Sequence, residues 1–195
     1  FWILENCRKN YISNPVTYNN LRKITDQVNS ILINRDTLIQ NNHLTMINKQ
    51  NIFILGKDKM KYIANEMALK MKEICYVHAE GYSSNSLKHG PLALIHSHFP
   101  VILILVMYNY EKMMNTYKEV HSRGAFVIVL TSITNKTLDY LTTQENTKII
   151  QIPHNSYLDE ILYMILIQHI CYNLACYRDI NPDKPKNLAK VVTVE

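Results

Sequence analysis

Five short apolar runs, separated by stretches with helical periodicity, constrain the fold of this chain more than any other feature. Short apolar runs bounded by turn residues are typical of buried strands. Their alternation with helices predicts βαβ units, and therefore an α/β fold: a three-layer αβα sandwich around a five-stranded parallel sheet. The predicted strands lie at 52–55, 75–77, 101–106, 125–130 and 149–152, and the predicted helices at 59–74, 110–122, 134–142 and 157–178.

The chain of 195 residues divides into three predicted parts. Residues 1–48 carry no strand signal, and apolar residues at helical spacing predict two helices there, which form either a hairpin or an arm. Residues 49–180 form the predicted α/β domain, in which the connector 84–96 has the weakest helical pattern. Residues 181–195 form a predicted C-terminal tail, because two prolines near its start prevent the last helix from continuing.

The composition argues against several classes of protein. Lys and Arg number 21 and Asp and Glu 16, a net charge of +5, and no basic block predicts nucleic-acid binding. No apolar run reaches the roughly 18 residues of a membrane helix, and no signal peptide is predicted, so we expect a cytoplasmic protein without a membrane partner. His96 and His98 have no matching Cys or carboxylate, so we predict no metal site.

The predicted helix 59–74 carries two stripes. One stripe is apolar and is expected to pack on the sheet. Glu66, Lys70 and Glu73 form the second, spaced so that neighbours in the set can touch. Such a set can be a solvated ladder of charges, or a carboxylate base beside a cation at the edge of a cleft, and the spacing alone does not choose between these interpretations.

The segment 78–94 contains the most distinctive local sequence. Gly90 and Pro91 interrupt any helix, so His89 is expected at the end of a short turn, next to Lys88. An imidazole in a loop can give and take a proton near neutral pH. A single histidine of this kind can equally be a surface or capping residue.

Four motifs occur in the same order as in a known enzyme family. They are Ala-Leu-Lys-Met-Lys-Glu-Ile at 68–74, His-Ala-Glu at 78–80, Leu-Lys-His-Gly-Pro-Leu-Ala-Leu-Ile at 87–95 and the ending Asn-Leu-Ala-Lys-Val-Val-Thr-Val-Glu at 187–195. Together they resemble the C-terminal, second sugar-isomerase (SIS) domain of the isomerising glutamine–fructose-6-phosphate aminotransferases. The resemblance runs from about residue 50 to residue 195 and implies the flavodoxin-like fold of SIS domains.

The resemblance also implies roles for individual residues. Glu73 matches the base that moves a proton between C1 and C2 of the sugar, and His89 matches the ring-opening acid/base, which this family supplies from the neighbouring subunit. Lys190 matches the tail lysine that forms a Schiff base with the open sugar, and Ala189 and Lys190 match substrate-binding positions. Lys70 and Glu66 match supporting positions on the helix of Glu73.

The family makes glucosamine 6-phosphate from fructose 6-phosphate and glutamine. The resemblance therefore implies those sugar phosphates as substrate and product, a glutaminase domain and a first SIS domain as partners, a homodimer, and no cofactor. A stand-alone module that binds a sugar phosphate without turnover, or a domain kept for dimer assembly, are the rival interpretations.

The proposed chemistry suits these residue types. Enolisation requires a carboxylate within hydrogen-bond reach of a carbon acid. A Schiff-base lysine must be neutral part of the time, so its pKa must fall from about 10.4, and desolvation or a nearby cation such as Lys70 would lower it.

Several positions depart from the family pattern. Asp58 and Met67 stand where the family has glycine, Ser86 replaces a glutamate, Lys186 replaces an arginine and Val191 replaces a small hydroxyl residue. The turn Gly-Lys-Asp-Lys at 56–59 also lacks the hydroxyls that cradle a sugar phosphate. Ser83, Ser84 and Ser86 offer only weak substitutes, so we expect the phosphate-binding residues to lie outside this chain, and the chain alone to bind sugar phosphate poorly and make no glucosamine 6-phosphate.

Overall fold

A computed structural model describes residues 15–34, 39, 48–133 and 135–188 of the chain. It contains five strands and five α-helices within those ranges, with short 3₁₀ helices in two of the connections. In chain order they are α1 (Pro15–Ile33), β1 (Asn51–Gly56), α2 (Met60–Cys75), β2 (His78–Ser83), β3 (Pro100–Leu105), α3 (Tyr110–His121), β4 (Phe126–Thr131), α4 (Asn135–Thr142), β5 (Thr147–Gln151) and α5 (Asp159–Tyr177).

The five strands form one sheet in the order β2-β1-β3-β4-β5, and neighbouring strands are parallel. This order is the flavodoxin-like one, so the predicted fold class is confirmed. The chain crosses from β1 to β2 and then reverses direction to reach β3. Because parallel crossovers are right-handed, α2 and the connection between β2 and β3 lie on opposite faces of the sheet.

Each face of the sheet covers its own apolar core. The three central strands, β1, β3 and β4, are apolar at nearly every position. Successive side chains face opposite sides of the sheet, so Ile52 and Ile54 join one cluster, whereas Phe53 and Leu55 join the other. The first cluster lies under α1, α2 and α5, and the second under α3, α4 and the 3₁₀ helices. Met67, which stands where the resemblance predicts glycine, is fully buried in the first cluster.

The second predicted strand was misplaced. The apolar run at 75–77 ends a helix instead: α2 continues to Cys75, Tyr76 adopts the left-handed conformation (φ 54°), and β2 begins at His78. β2 lies at the edge of the sheet and alternates polar with small residues, so a search for continuous apolar runs misses it. Gly81 permits the close contact between β2 and α2, since a Cβ there would lie 2.7 Å from the Cα of Asn65.

The helical arm is described in part. The first of its two predicted helices is confirmed as α1, whose Ile31 is fully buried in the first cluster. The amide nitrogen of Gln27 donates to the carbonyl of His154 at 2.7 Å, which ties α1 to the segment before α5. The second predicted helix, around residue 38, falls mostly outside the described residues. Within the described ranges, no helix combines the length and apolar character that crossing a bilayer requires.

Candidate functional site

The second stripe of α2 forms a chain of ion pairs. The ammonium of Lys70 lies 2.6 Å from Oε2 of Glu73 and 3.7 Å from Oε1 of Glu66. All three side chains are about 30% exposed, at 31%, 29% and 31% respectively. They are thus half-buried, and the contacts that the helical spacing predicted are present. The arrangement holds the Glu73 carboxylate beside a cation at the surface of the domain.

The pKa of Lys70 is raised above its usual value. The hydrogen bond to Glu73 is the main cause, partial burial opposes it, and the charges of Glu73 and Glu66 add to it. The ammonium form is therefore the stable form of Lys70 throughout the neutral range. Its positive charge is matched by two carboxylates, so the three groups together carry one net negative charge.

The raised pKa of Lys70 predicts a pH dependence of stability. The stabilising contribution is complete below about pH 10.4, the usual lysine value, and is lost as the pH rises through the raised pKa of the folded state. We expect the difference in urea midpoint between the native chain and Lys70→Met to shrink from pH 8 to pH 11.5. Lys72→Met, on the same helix, is the control. A difference that grows with pH would contradict the assignment.

The C-terminal tail meets the end of α2. Both α2 and α5 run antiparallel to the strands, so both end at the edge where the strands begin, which we call the amino edge. Just beyond α5, Nη1 of Arg178 donates to the carbonyl of Cys75 at 2.8 Å. Further along the tail, the backbone N–H of Lys186 donates to the Tyr76 hydroxyl at 2.7 Å. The tail is therefore anchored on the last turn of α2.

A cavity of about 280 Å³ lies between the tail and the end of α2. Glu73 and the tail residues 186–188 line the same cavity, so residues far apart in the sequence converge there. The described tail ends at Leu188, and the predicted substrate-binding and Schiff-base positions Ala189 and Lys190 lie outside the described residues. The cavity is lined by Lys72, Glu73, Tyr76, Lys186, Asn187 and Leu188.

His89 lies on the opposite face of the sheet from Glu73. It ends a 3₁₀ helix (Ser86–His89) whose Leu87 is fully buried in the second cluster. The neighbouring Lys88 forms an ion pair of 2.5 Å with Glu119 on α3, and this pair holds the loop against that helix. His89 itself is exposed. The sheet thus separates Glu73 and His89 within one chain.

Neither Glu73 nor the described part of the tail lies at the carboxyl ends of the strands. Open α/β sheets bind ligands at the carboxyl edge, where the strands end. This rule would place a ligand at the turn after β1. Glu73 and the tail lie instead at the amino edge. Lys57 in that turn is buried, and its ammonium donates to the side-chain oxygen of Asn85 at 3.1 Å. A separate cavity of about 310 Å³ lies beside it, lined by Asp58 and residues 107–112.

The histidine pair at 96 and 98 lies at the surface. Nδ1 of His96 is 3.0 Å from the carbonyl of Ser97. Across the described ranges, no group of three or more His, Cys, Asp or Glu side chains is arranged to hold a metal ion.

The sequence patterns do not predict the roles of two residues that anchor the tail. Tyr76 and Arg178 hold the tail against α2, but neither lies on a periodic stripe or in a chemical motif. Only the parallel packing of α2 beside α5 reveals their shared position, and that packing is a long-range property of the fold.

The family model for the SIS domain matches residues 45–177. Because the match covers more than half of the chain, the chain belongs to the SIS domain family. The resemblance to the isomerising aminotransferases is confirmed as well. The chain resembles a protein described as a probable glutamine–fructose-6-phosphate aminotransferase of Acanthamoeba polyphaga mimivirus, with 47% identity over 151 residues, 76% of this chain and 24% of the relative.

A second relative and a solved structure agree with this assignment. The glutamine–fructose-6-phosphate aminotransferase of Buchnera aphidicola is 41% identical over 166 residues, 84% of this chain and 26% of the relative. The C-terminal domain of the Francisella tularensis glucosamine-fructose-6-phosphate aminotransferase aligns with a TM-score of 0.75 and 27% identity, over 86% of this chain and 46% of that chain. The chain thus spans about a quarter of the length of the curated relatives it matches.

Proposed function

We propose that this chain is the sugar-isomerase part of a glutamine–fructose-6-phosphate aminotransferase, which converts fructose 6-phosphate to glucosamine 6-phosphate together with a glutaminase domain and a first SIS domain. The observation that carries the proposal is the cavity shared by Glu73 and the tail segment 186–188. Lys190 follows Leu188 by two residues, a distance that a chain spans in at most about 7 Å. In this proposal the tail brings the Lys190 amine close to the Glu73 carboxylate.

The proposed chemistry uses that amine and that carboxylate in turn. The Lys190 amine adds to the carbonyl of the open sugar and expels water, which forms a Schiff base. Ammonia released by the glutaminase domain then displaces the Lys190 amine at C2, which frees the lysine and leaves an imine on the sugar. Glu73 removes a proton from C1 and returns it to C2, which gives the 2-amino aldose. Lys70 orients the Glu73 carboxylate through its 2.6 Å ion pair.

The charges around Lys70 change the hypothesis about what lowers the pKa of Lys190. Lys70 was expected to lower the pKa of Lys190, but two carboxylates compensate its charge. We therefore assign the required lowering to desolvation under the folded tail and to the ammonium of Lys186, which lies at the same cavity.

The positions of Glu73 and His89 support a site completed by a second subunit. The two residues lie on helices packed against opposite faces of one sheet. We propose that His89 serves the site of the partner subunit in a homodimer, where it opens the sugar ring. The cytoplasmic location expected from the sequence stays a prediction.

Borohydride trapping tests the proposed function. We expect the longest form of the protein that contains this chain, incubated with fructose 6-phosphate and reduced, to carry a sugar adduct on Lys190 by mass spectrometry. The adduct is expected to disappear in Lys190→Ala and to persist in Lys184→Ala, a lysine of the same tail. No adduct in that long form would overturn the proposal.

The same experiment on the 195-residue chain alone tests the role of the other domains. We expect little or no adduct, because the turn after β1 offers Lys57 and Asp58 where a phosphate cradle needs hydroxyls. If the long form binds the sugar phosphate but forms no adduct, the binding-module interpretation replaces the catalytic one.

A further inference from the structure

Tyr76 has a position that neither the catalytic motifs nor the proposed chemistry explains. It follows Glu73 by three residues and closes α2 in the left-handed conformation, with its N–H bonded to the carbonyl of Met71. A residue other than glycine or asparagine is uncommon in this conformation. The tyrosine is therefore held on the last turn of the helix that carries Glu73.

Tyr76 contacts the tail through two different interactions with one residue. Its hydroxyl accepts the backbone N–H of Lys186 at 2.7 Å, and the Lys186 ammonium lies 4.4 Å from the centre of its ring. The first contact fixes the backbone of the tail and the second is a cation–π interaction with its side chain. The two residues are 110 positions apart in the sequence.

We infer that Tyr76 is a positioning residue that fastens the tail at Lys186, so that the segment bearing Lys190 starts from a fixed point beside Glu73. This inference rests on the proposed function, in which Lys190 forms the Schiff base. Tyr76 does not itself touch the reacting atoms in this scheme. It acts by shortening the length of chain between the last anchored residue and the amine.

The number of residues between Lys190 and the last anchored residue sets the expected effect. Ile180, just before the tail, packs on the first apolar cluster, and its N–H donates to the carbonyl of Ala175 at 2.9 Å. If Ile180 were the last anchored residue, the tether to Lys190 would be ten residues long. With the Tyr76 contacts, the last anchored residue is Lys186, and the tether is four residues long. The effective concentration of a tethered group falls as about the −3/2 power of tether length, so the loss is about fourfold.

A substitution of Lys186 tests the inference in the opposite direction, because it is expected to strengthen the contact with Tyr76. The resemblance places an arginine at this position, and a planar guanidinium stacks on an aromatic ring better than an ammonium does. Lys186→Arg is therefore expected to strengthen the contact, provided that the Tyr76 ring is present. The gain disappears when the ring is removed, which a general effect of arginine on the tail would not show.

The experiment measures the rate of borohydride-trapped adduct on Lys190 at subsaturating fructose 6-phosphate, in the longest form of the protein. We expect Tyr76→Ala to lower the rate about fourfold, Tyr76→Phe to lower it by less, since the ring remains, and Lys186→Arg to raise it about twofold. Tyr62→Ala and Lys61→Arg, at an exposed tyrosine and an exposed lysine of the same helix, are the controls and are expected to leave the rate unchanged.

The outcomes separate the inference from the proposed function. An adduct in the native protein that Tyr76→Ala leaves unchanged overturns the inference alone. A gain from Lys186→Arg that persists in the Tyr76→Ala background also overturns it. No adduct on Lys190 in the native protein overturns the proposed function and this inference with it. Urea unfolding of each variant excludes loss of the fold as the cause of a lowered rate.

Discussion

Glu73→Gln is expected to lower the transfer of the sugar proton by about 100- to 10,000-fold while Lys190 still traps the sugar. The amide keeps the size of the side chain and its contact with Lys70, but it cannot accept a proton from C1. The measurement is the exchange of the C1 hydrogen of fructose 6-phosphate with D₂O, followed by NMR, beside borohydride trapping on the same preparation. Loss of exchange with retained trapping separates the base from the Schiff-base lysine.

Glu66→Gln is the matched control for this prediction. Glu66 lies on the same stripe of α2, bonds the same Lys70 ammonium and has nearly the same exposure, 31% against 29%. Its loss removes a half-buried ion pair of 3.7 Å that contributes little, so we expect the exchange rate to change by no more than about twofold. Equal losses in both variants would show that the charge of the stripe matters and that Glu73 has no specific role as the base.

The local part of the candidate site was predictable from the sequence. Residues four and three apart on a helix are neighbours, so the contacts of Lys70 with Glu66 and Glu73 follow once the helix is recognised. The burial of Met60, Met67 and Met71 follows from the same periodicity. These features depend only on the geometry of one helix, which the spacing of residues encodes directly.

The long-range part of the site was not predictable from spacing. β2 was missed at its true position because an edge strand need not be continuously apolar. The contact between Tyr76 and Lys186 depends on α2 and α5 ending at the same edge of the sheet, which only the order of the strands determines. The role of Lys190 came from resemblance alone, since a lysine in a tail has no distinguishing pattern.

Glu73 and His89 lie on opposite faces of one sheet, and this separation predicts that two subunits share each active site. If each site takes Glu73 from one subunit and His89 from the other, two inactive variants restore each other. Glu73→Gln and His89→Ala are each expected to be inactive in glucosamine 6-phosphate formation. In a mixed dimer, one of the two sites loses both groups and the other keeps both.

Co-expression of the two variants is therefore expected to recover about a quarter of the native activity, because half of randomly paired dimers are mixed and half of their sites are intact. A site built within one chain would recover none. Co-expression of native protein with the double variant Glu73→Gln/His89→Ala is the control. It gives about a quarter if the site is shared, because mixed dimers are then inactive, and about a half if each chain is self-sufficient. The two ratios together determine whether the sheet that separates Glu73 from His89 divides one active site between two chains.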